Sequence, residues 1–178
     1  MYIRLLYCLL LIFVVSSVHA QKTWTSNGDG NWTDANTWTL SGGATGTPPT
    51  NLNGDDIRIV IQNGDEITLN NKLELKGNSK LEISGGGTLN INGEFKIEES
   101  DVIVDSSNIT ATNKIDIKKN SSFNATNGSE ITTDDEFKID ESDVTLDNST
   151  ISATNKIDIK KNSSFNATNG SEITTDDE

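Results

Sequence analysis

The stretch KIDIKKNSSFNATNGSEITTDD, Lys114 to Asp135, returns unchanged as Lys156 to Asp177, 42 residues further on. Self-similarity at a fixed period of this size marks stacked repeat architectures. Working outward, the flanking residues are nearly copied too, so that 36 of 42 positions agree between 94–135 and 136–177. Changes such as Glu98 to Asp140 and Val104 to Leu146 keep their chemical class.

The unit divides again into halves. Aligning them places Lys72, Glu94, Lys114, Glu136 and Lys156 in one column, with Glu74, Lys96, Asp116, Lys138 and Asp158 in a second. Lys76, Glu98, Lys118, Asp140 and Lys160 make a third. Charge sign reverses at every step of each column. Two turns are therefore the smallest unit that restores it, and a slip by one turn would set like charges together. Exposed opposite-charge pairs contribute about 0.2 to 1 kcal/mol each, so they select register more than they supply stability.

Apolar residues come in pairs spaced by two, the period of a strand with one buried face, and three such pairs fill each half-unit. Leu73 and Leu75, Leu81 and Ile83, then Leu89 and Ile91 make one turn; Phe95 and Ile97, Val102 and Val104, then Ile109 and Ala111 make the next. Polar breaks such as Lys76-Gly77-Asn78-Ser79, Gly85-Gly86-Gly87 and Asn127-Gly128-Ser129 separate them with turn chemistry. The spacing predicts an all-β fold, a parallel β-helix with three short strands per coil of about 20 to 22 residues, rising about 4.8 Å per coil. Right-handed winding is expected because parallel crossovers prefer that hand. No coil can stand alone, since ordering a residue costs about 1 to 2 kcal/mol and burying an aliphatic side chain returns about 1.5 to 3.

Arg4, the apolar run Leu5 to Val15 and Val18-His19-Ala20 before Gln21 read as a secretory signal peptide over residues 1–20, cleaved after Ala20. The apolar run is shorter than the roughly 20 residues a membrane span needs. Removing residues 1–20 takes away the only Cys, His and Met and leaves 13 basic against 27 acidic residues, a net of −14. That charge disfavours nucleic acid and anionic membranes as partners, and no membrane insertion of the mature chain is expected. A chain without thiols makes no disulfide, so its stability outside the cell must come from packing.

Residues 21–54 differ from the remainder, 55–178, in holding Trp24, Trp32, Trp38, Pro48 and Pro49 among many Gly, Asn and Thr. They are expected to form an N-terminal cap over the open end of the coils. The run Thr23-Trp24-Thr25, Asn31-Trp32, Asn36-Thr37-Trp38, Pro48, Asp55-Asp56-Ile57 and Ile59 resembles the opening of secreted and surface proteins of Bacteroidetes-type bacteria, in which a Trp-rich motif leads into a pectin-lyase-like β-helix. The resemblance implies an adhesin-like surface molecule exported through a carboxy-terminal sorting domain. No such domain follows the repeats, and the chain is expected to be a fragment or a shortened reading frame.

Candidate sites are few. Trp24, Trp32 and Trp38 offer aromatic faces on which a glycan could stack, against a plain role in covering the coil end. A hydroxyl ladder, Thr68, Thr110, Thr132, Ser152 and Thr174, interrupted by Asn90, forms an outward column that could meet a polysaccharide or ice, although Glu130, Asp134, Glu172 and Asp176 flank it. Asn27, Asp29, Asn31 and Asp34 have the alternate oxygens of a calcium loop, but Trp32 and Trp38 fall where that pattern wants Gly and Glu. Asp134 and Asp135, with Asp176 and Asp177, are a second weak calcium candidate. Nine Asn-x-Ser/Thr triplets, at Asn31, Asn108, Asn120, Asn124, Asn127, Asn148, Asn162, Asn166 and Asn169, follow the repeat and read as turn and strand-face residues.

No catalytic, cofactor-binding or metal residue is assigned, and no cofactor is expected. Loss of His and Cys removes the commonest base and a common nucleophile, and Arg58 is the sole remaining arginine. The expectation is a secreted or cell-surface, structural or adhesin-like, non-enzymatic repeat protein whose partner is an extracellular glycan or surface. The alternatives are the N-terminal part of a polysaccharide-active β-helix enzyme and a glycan- or ice-binding module. Ligand and assembly state are not legible at this level.

Overall fold

The computed structural model describes residues 20–54 and 56–176. The leader assigned to residues 1–20 lies outside them but for Ala20, as do Asp55, Asp177 and Glu178. Among the described residues β1 (Lys22–Ser26), β2 (Gly30–Asn31) and β3 (Trp38–Ser41) come first. Six coils of three strands follow: β4 (Asn51–Asn53), β5 (Ile57–Ile61) and β6 (Glu66–Leu69); β7 (Leu73–Lys76), β8 (Lys80–Ser84) and β9 (Thr88–Ile91); β10 (Phe95–Glu98), β11 (Asp101–Asp105) and β12 (Asn108–Ala111). The last three are β13 (Ile115–Lys118), β14 (Ser122–Thr126) and β15 (Glu130–Thr133); β16 (Glu136–Asp140), β17 (Asp143–Asp147) and β18 (Thr150–Ala153); β19 (Lys156–Ile159), β20 (Ser164–Thr168) and β21 (Glu172–Thr175). Every third strand pairs in parallel, giving three sheets that run the length of a β-solenoid. The first strands of the coils form face one, the second strands face two and the third strands face three.

Alternation in the strands puts one side of each inward, as the residue pairs required. On face one Leu73, Phe95, Ile115, Phe137 and Ile157 stack in register. On face two Trp24, Ile59, Leu81, Val102, Phe123, Val144 and Phe165 do so. The phenylalanines alternate between these columns, Phe95 and Phe137 on face one, Phe123 and Phe165 on face two. Each of the last four coils thus carries one ring, and Phe123 meets Phe137 edge-on at 6.1 Å between centroids. Interiors pack to near-crystalline density, so one ring per coil at staggered positions keeps the cross-section constant where two on one level would overfill it.

Coil length also alternates, and the corners show how. Spacing along the first charge column is 22, 20, 22 and 20 residues. Longer coils turn through two positive-φ residues, Gly77 and Asn78 or Lys119 and Asn120 before the second strand, Gly85 and Gly86 or Asn127 and Gly128 after it. Shorter coils turn through one, Glu99 or Glu141, then Ser106 or Asn148. The extra residue is absorbed at the corner, and the strands stay in register. The 42-residue period therefore restores corner length and ring position as well as charge sign.

Strand pairing runs into the segment expected as a cap. β1 pairs in parallel with β5, β2 with β6, and β4 with β7. β3 instead pairs antiparallel with β1, so face two ends in a reversed strand.

Candidate functional site

Outward positions are where a repeat scaffold meets anything else, and the three faces differ in chemistry. Face one is a checkerboard. Cross-strand pairing places Lys96 between Glu74 and Asp116, Lys118 between Glu98 and Asp140, and Lys138 between Asp116 and Asp158, as the columns required. Neighbours along each strand are opposite as well. Along the strands, Lys76 and Lys72 lie 3.0 and 3.1 Å from Glu74, Lys96 lies 3.0 Å from Glu98, and Lys118 lies 3.2 Å from Asp116. Between coils, Lys156 reaches Glu136 at 3.0 Å, while Lys114 to Glu94 and Lys138 to Asp116 are longer, 3.7 and 3.8 Å. Register is thus selected by the sign pattern of the whole grid together with close contacts between coils, Lys156 on Glu136 and Lys119 on Glu98.

Lys119, at an exposed corner, joins Lys96 on Glu98, and these two ammonium groups hold the Glu98 carboxyl at about 2, well below the usual carboxylate range. Lys76 and then Lys72 lower Glu74 in the same way. The face carries eight lysines against seven acids, so the chain's net negative charge lies elsewhere.

Face two holds a cluster that the repeat does not copy. Burial pushes the Glu82 carboxyl up, but Arg58 and Lys80 together more than offset it and its pKa is lowered. This makes an ion triplet near the N-terminal end, one acid between two cations, a structural arrangement in which Arg58 is already engaged.

Face three carries the predicted ladder. Thr68, Asn90, Thr110, Thr132, Ser152 and Thr174 are successive register partners, and Asn31 extends the column by one strand. Ser152 and Thr174 hydroxyls lie 2.9 Å apart, and the Asn90 amide donates to Glu66 at 2.8 Å. No strand of this face contains Lys or Arg. Glu66, Glu130 and Glu172 flank the column and are exposed. The face is polar and anionic at intervals.

The tryptophans are placed differently from a stacking platform. Trp24, Trp32 and Trp38 are 5, 0 and 5% exposed, and their indole N–H groups donate to the carbonyls of Gly46, Pro48 and Trp32. Trp32 and Trp38 meet edge-on with centroids 5.3 Å apart. Their faces are spent on the core and on the 46–48 loop, so the expectation of exposed glycan-stacking rings at these three positions is corrected. Large rings with one polar atom suit this position, because the ring fills the coil end while the N–H satisfies a loop carbonyl.

The calcium-like loop is also otherwise engaged. Asp29 Oδ1 accepts from the Glu66 amide, Asn31 Oδ1 from Thr33, and Asp34 Oδ1 from the Asn36 amide as the N-cap of a short 3-10 turn. Of the triplet asparagines, Asn120, Asn127, Asn148, Asn162 and Asn169 are positive-φ corner residues, and the others lie on strands. Asparagine visits that backbone region at little cost, which is reason enough for its recurrence.

Two columns of buried serines were not recognised in the sequence. At the first corner, the Ser79 and Ser100 hydroxyls are 3.2 Å apart, the Ser100 amide donates to Ser121 Oγ, and the Ser121 amide to Ser142 Oγ. At the second corner the amides of Ser107, Ser129 and Ser149 donate to the hydroxyls of Ser129, Ser149 and Ser171. Each hydroxyl in turn donates to a carbonyl two or three residues back, at 2.7 Å for Ser121, Ser129 and Ser171. Such hydroxyls satisfy corner amides that a strand ladder leaves over. The signal available was a Ser at the first corner of successive coils, 21 residues apart from Ser79 through Ser142.

No family model, curated protein or solved structure matches this chain. What its surface can do therefore rests on its own side chains.

Proposed function

We propose that this chain is a secreted or cell-surface repeat scaffold, adhesin-like and non-enzymatic. The observation that supports it most is the copied surface: in the last four coils an outward side chain recurs two coils on, about 9.6 Å along the axis, and 36 of 42 positions agree. Catalysis needs one constellation in one place, whereas repeated groups suit a spacer or a multivalent contact. The leader-like residues 1–20 and the likeness of the Trp-rich opening to Bacteroidetes-type surface proteins point to export. Expression in a Gram-negative host tests this: a product beginning at Gln21 and cleaved by protease added to intact cells supports the reading, and an intracellular chain still carrying residues 1–20 refutes it.

A second reading, a module for a neutral glycan or ice, is favoured by the unbroken polar column of face three and the absence of cations on its strands. A glycan array and a thermal-hysteresis assay decide it. Binding or hysteresis lost on Thr110→Lys and Thr132→Lys would establish this reading, and inactivity in both assays removes it.

A further inference from the structure

Asn27 is the one member of the calcium-like loop whose side chain no contact uses. Asp29, Asn31 and Asp34 each give an oxygen to a neighbour, whereas the Asn27 side chain is exposed and, among the described residues, makes no hydrogen bond. Its backbone amide donates to the Thr37 carbonyl at 2.9 Å. Gly28 follows, and no atom beyond its chain neighbours lies within 4 Å of the point where a side chain would stand on it.

Asparagine before glycine is a reactive pair. The glycine nitrogen can attack the asparagine Cγ, closing a five-membered succinimide and expelling the side-chain nitrogen as ammonia. Water then opens the ring at either carbonyl, so that one water is consumed and aspartate or isoaspartate is left. Glycine favours the attack because it has no Cβ to shield the nitrogen. The fold decides the rest, since the ring closes only where the side chain and the glycine nitrogen are both free to meet.

Six such pairs occur, at Asn27, Asn53, Asn63, Asn92, Asn127 and Asn169, and five are restrained. The Asn127 side-chain amide donates to Asp105 Oδ1 at 2.6 Å, and the Gly128 amide donates to the Asn148 carbonyl at 2.6 Å. Its repeat copy Asn169 donates likewise to Asp147 Oδ1. Asn92 donates to Asn70 Oδ1 at 2.6 Å, and Gly54, after Asn53, donates its amide to the Lys76 carbonyl at 3.3 Å. Asn63 sits at φ 58° in a turn closed by the Asp65 amide on the Gln62 carbonyl at 3.0 Å. Asn27 has none of these holds, and its backbone lies outside the left-handed region.

We infer that Asn27 is a site of spontaneous deamidation and isomerisation, and that the stacked coils protect the repeated Asn-Gly corners from the same reaction. The inference does not depend on the scaffold reading. Isoaspartate routes the main chain through the side-chain carbon and so lengthens the connection between β1 and β2. That connection is anchored at both ends, by the Asn27 amide on Thr37 and by Asp29 on the Glu66 amide at 2.8 Å, and the change therefore falls on the capped end.

The folded chain, held at mildly alkaline pH and sampled over time, is digested with trypsin and mapped by mass spectrometry. Peptides 23–58 and 120–138 report Asn27 and Asn127 whether or not residues 1–20 have been removed, and fragmentation separates Asn27 from Asn53. Asn27 is expected to convert first of the six, and Asn127 at least about tenfold more slowly, because two hydrogen bonds must open before its ring can close. In denaturant the two rates should converge, since only local sequence then acts. Asp105→Ala should accelerate Asn127 and leave Asn27 unchanged, and Asn27→Ser should remove the early product. Equal rates at Asn27 and Asn127 in the folded chain, faster conversion at any of the other five, an Asn27 that reacts only in denaturant, or a gap that persists there would overturn the inference.

Discussion

Asp116 and Lys138 face each other across neighbouring coils, with Lys138 Nζ 3.8 Å from Asp116 Oδ1. Asp116 is only 4% exposed, and Lys118 and Lys114 stand beside it at 3.2 and 3.7 Å. Lys138 is the one cation of that group contributed by another coil, so it ties the fourth coil to the fifth. Replacing it with Glu would set an acid against Asp116 and Asp158 in its column and Glu136 and Asp140 along its strand. Lys138→Glu is expected to cost about 1 to 2 kcal/mol at low salt, the sum of several weak pairs reversed. Thermal unfolding at about 0.02 and 1 M salt checks this, since screening should narrow the gap.

Ser121 links three coils through its corner. Its hydroxyl accepts from the Ser100 amide at 3.3 Å and donates to the Lys118 carbonyl, while its own amide donates to Ser142 Oγ. Ser121→Ala leaves a buried amide without a partner, for a loss of about 1 to 3 kcal/mol. Hydrogen exchange at the Ser100 amide should accelerate more than at amides two coils away, because stability in a linear array is local.

Glu99 and Glu141 hold φ of 52° and 50°, a region unfavourable for a side chain of that type. Longer coils place Asn78, Asn120 and Asn162 at the equivalent corner. Glu99→Asn and Glu141→Asn should each stabilise the chain by about 0.5 to 1 kcal/mol, read as a rise in denaturant midpoint.

Acid should weaken the fold through Glu98. Its carboxyl is held at about 2 against an ordinary value of 4.5, so its contribution is fully present above 4.5 and lost as pH falls from there toward 2. Glu74 and Glu82 are shifted in the same direction. Melting temperature should therefore fall below about pH 4.5, and Glu98→Gln should flatten that decline while lowering stability at neutral pH. Equal acid limbs for the two proteins would contradict the assignment.

Period-2 pairs such as Leu81 and Ile83 made the strands legible, and the repeat made their stacking legible, because both depend on which residues face inward. Columns such as Glu74, Lys96 and Asp116 followed from the same alignment. Hydroxyl partners did not, since a Ser in a turn is ordinary and the Ser121 bond pattern exists only once coils are stacked. Trp32 was ambiguous for a related reason: an indole serves a core or a sugar equally well, and only burial separates the two. The reversal at β3 left no trace in residues 38–41, where Trp-Thr-Leu-Ser would suit either strand direction.

Like positions of successive coils lie one strand spacing apart along a single axis. Spin labels at Thr68 and Thr174, five coils apart in one column, test it by pulsed dipolar spectroscopy on a sample diluted with unlabelled chain. A narrow distribution near 24 Å, shortening by about one spacing of 4.8 Å when the second label is moved to Ser152, is the predicted result. A broad distribution, or no systematic change between the two pairs, would contradict the stacked solenoid.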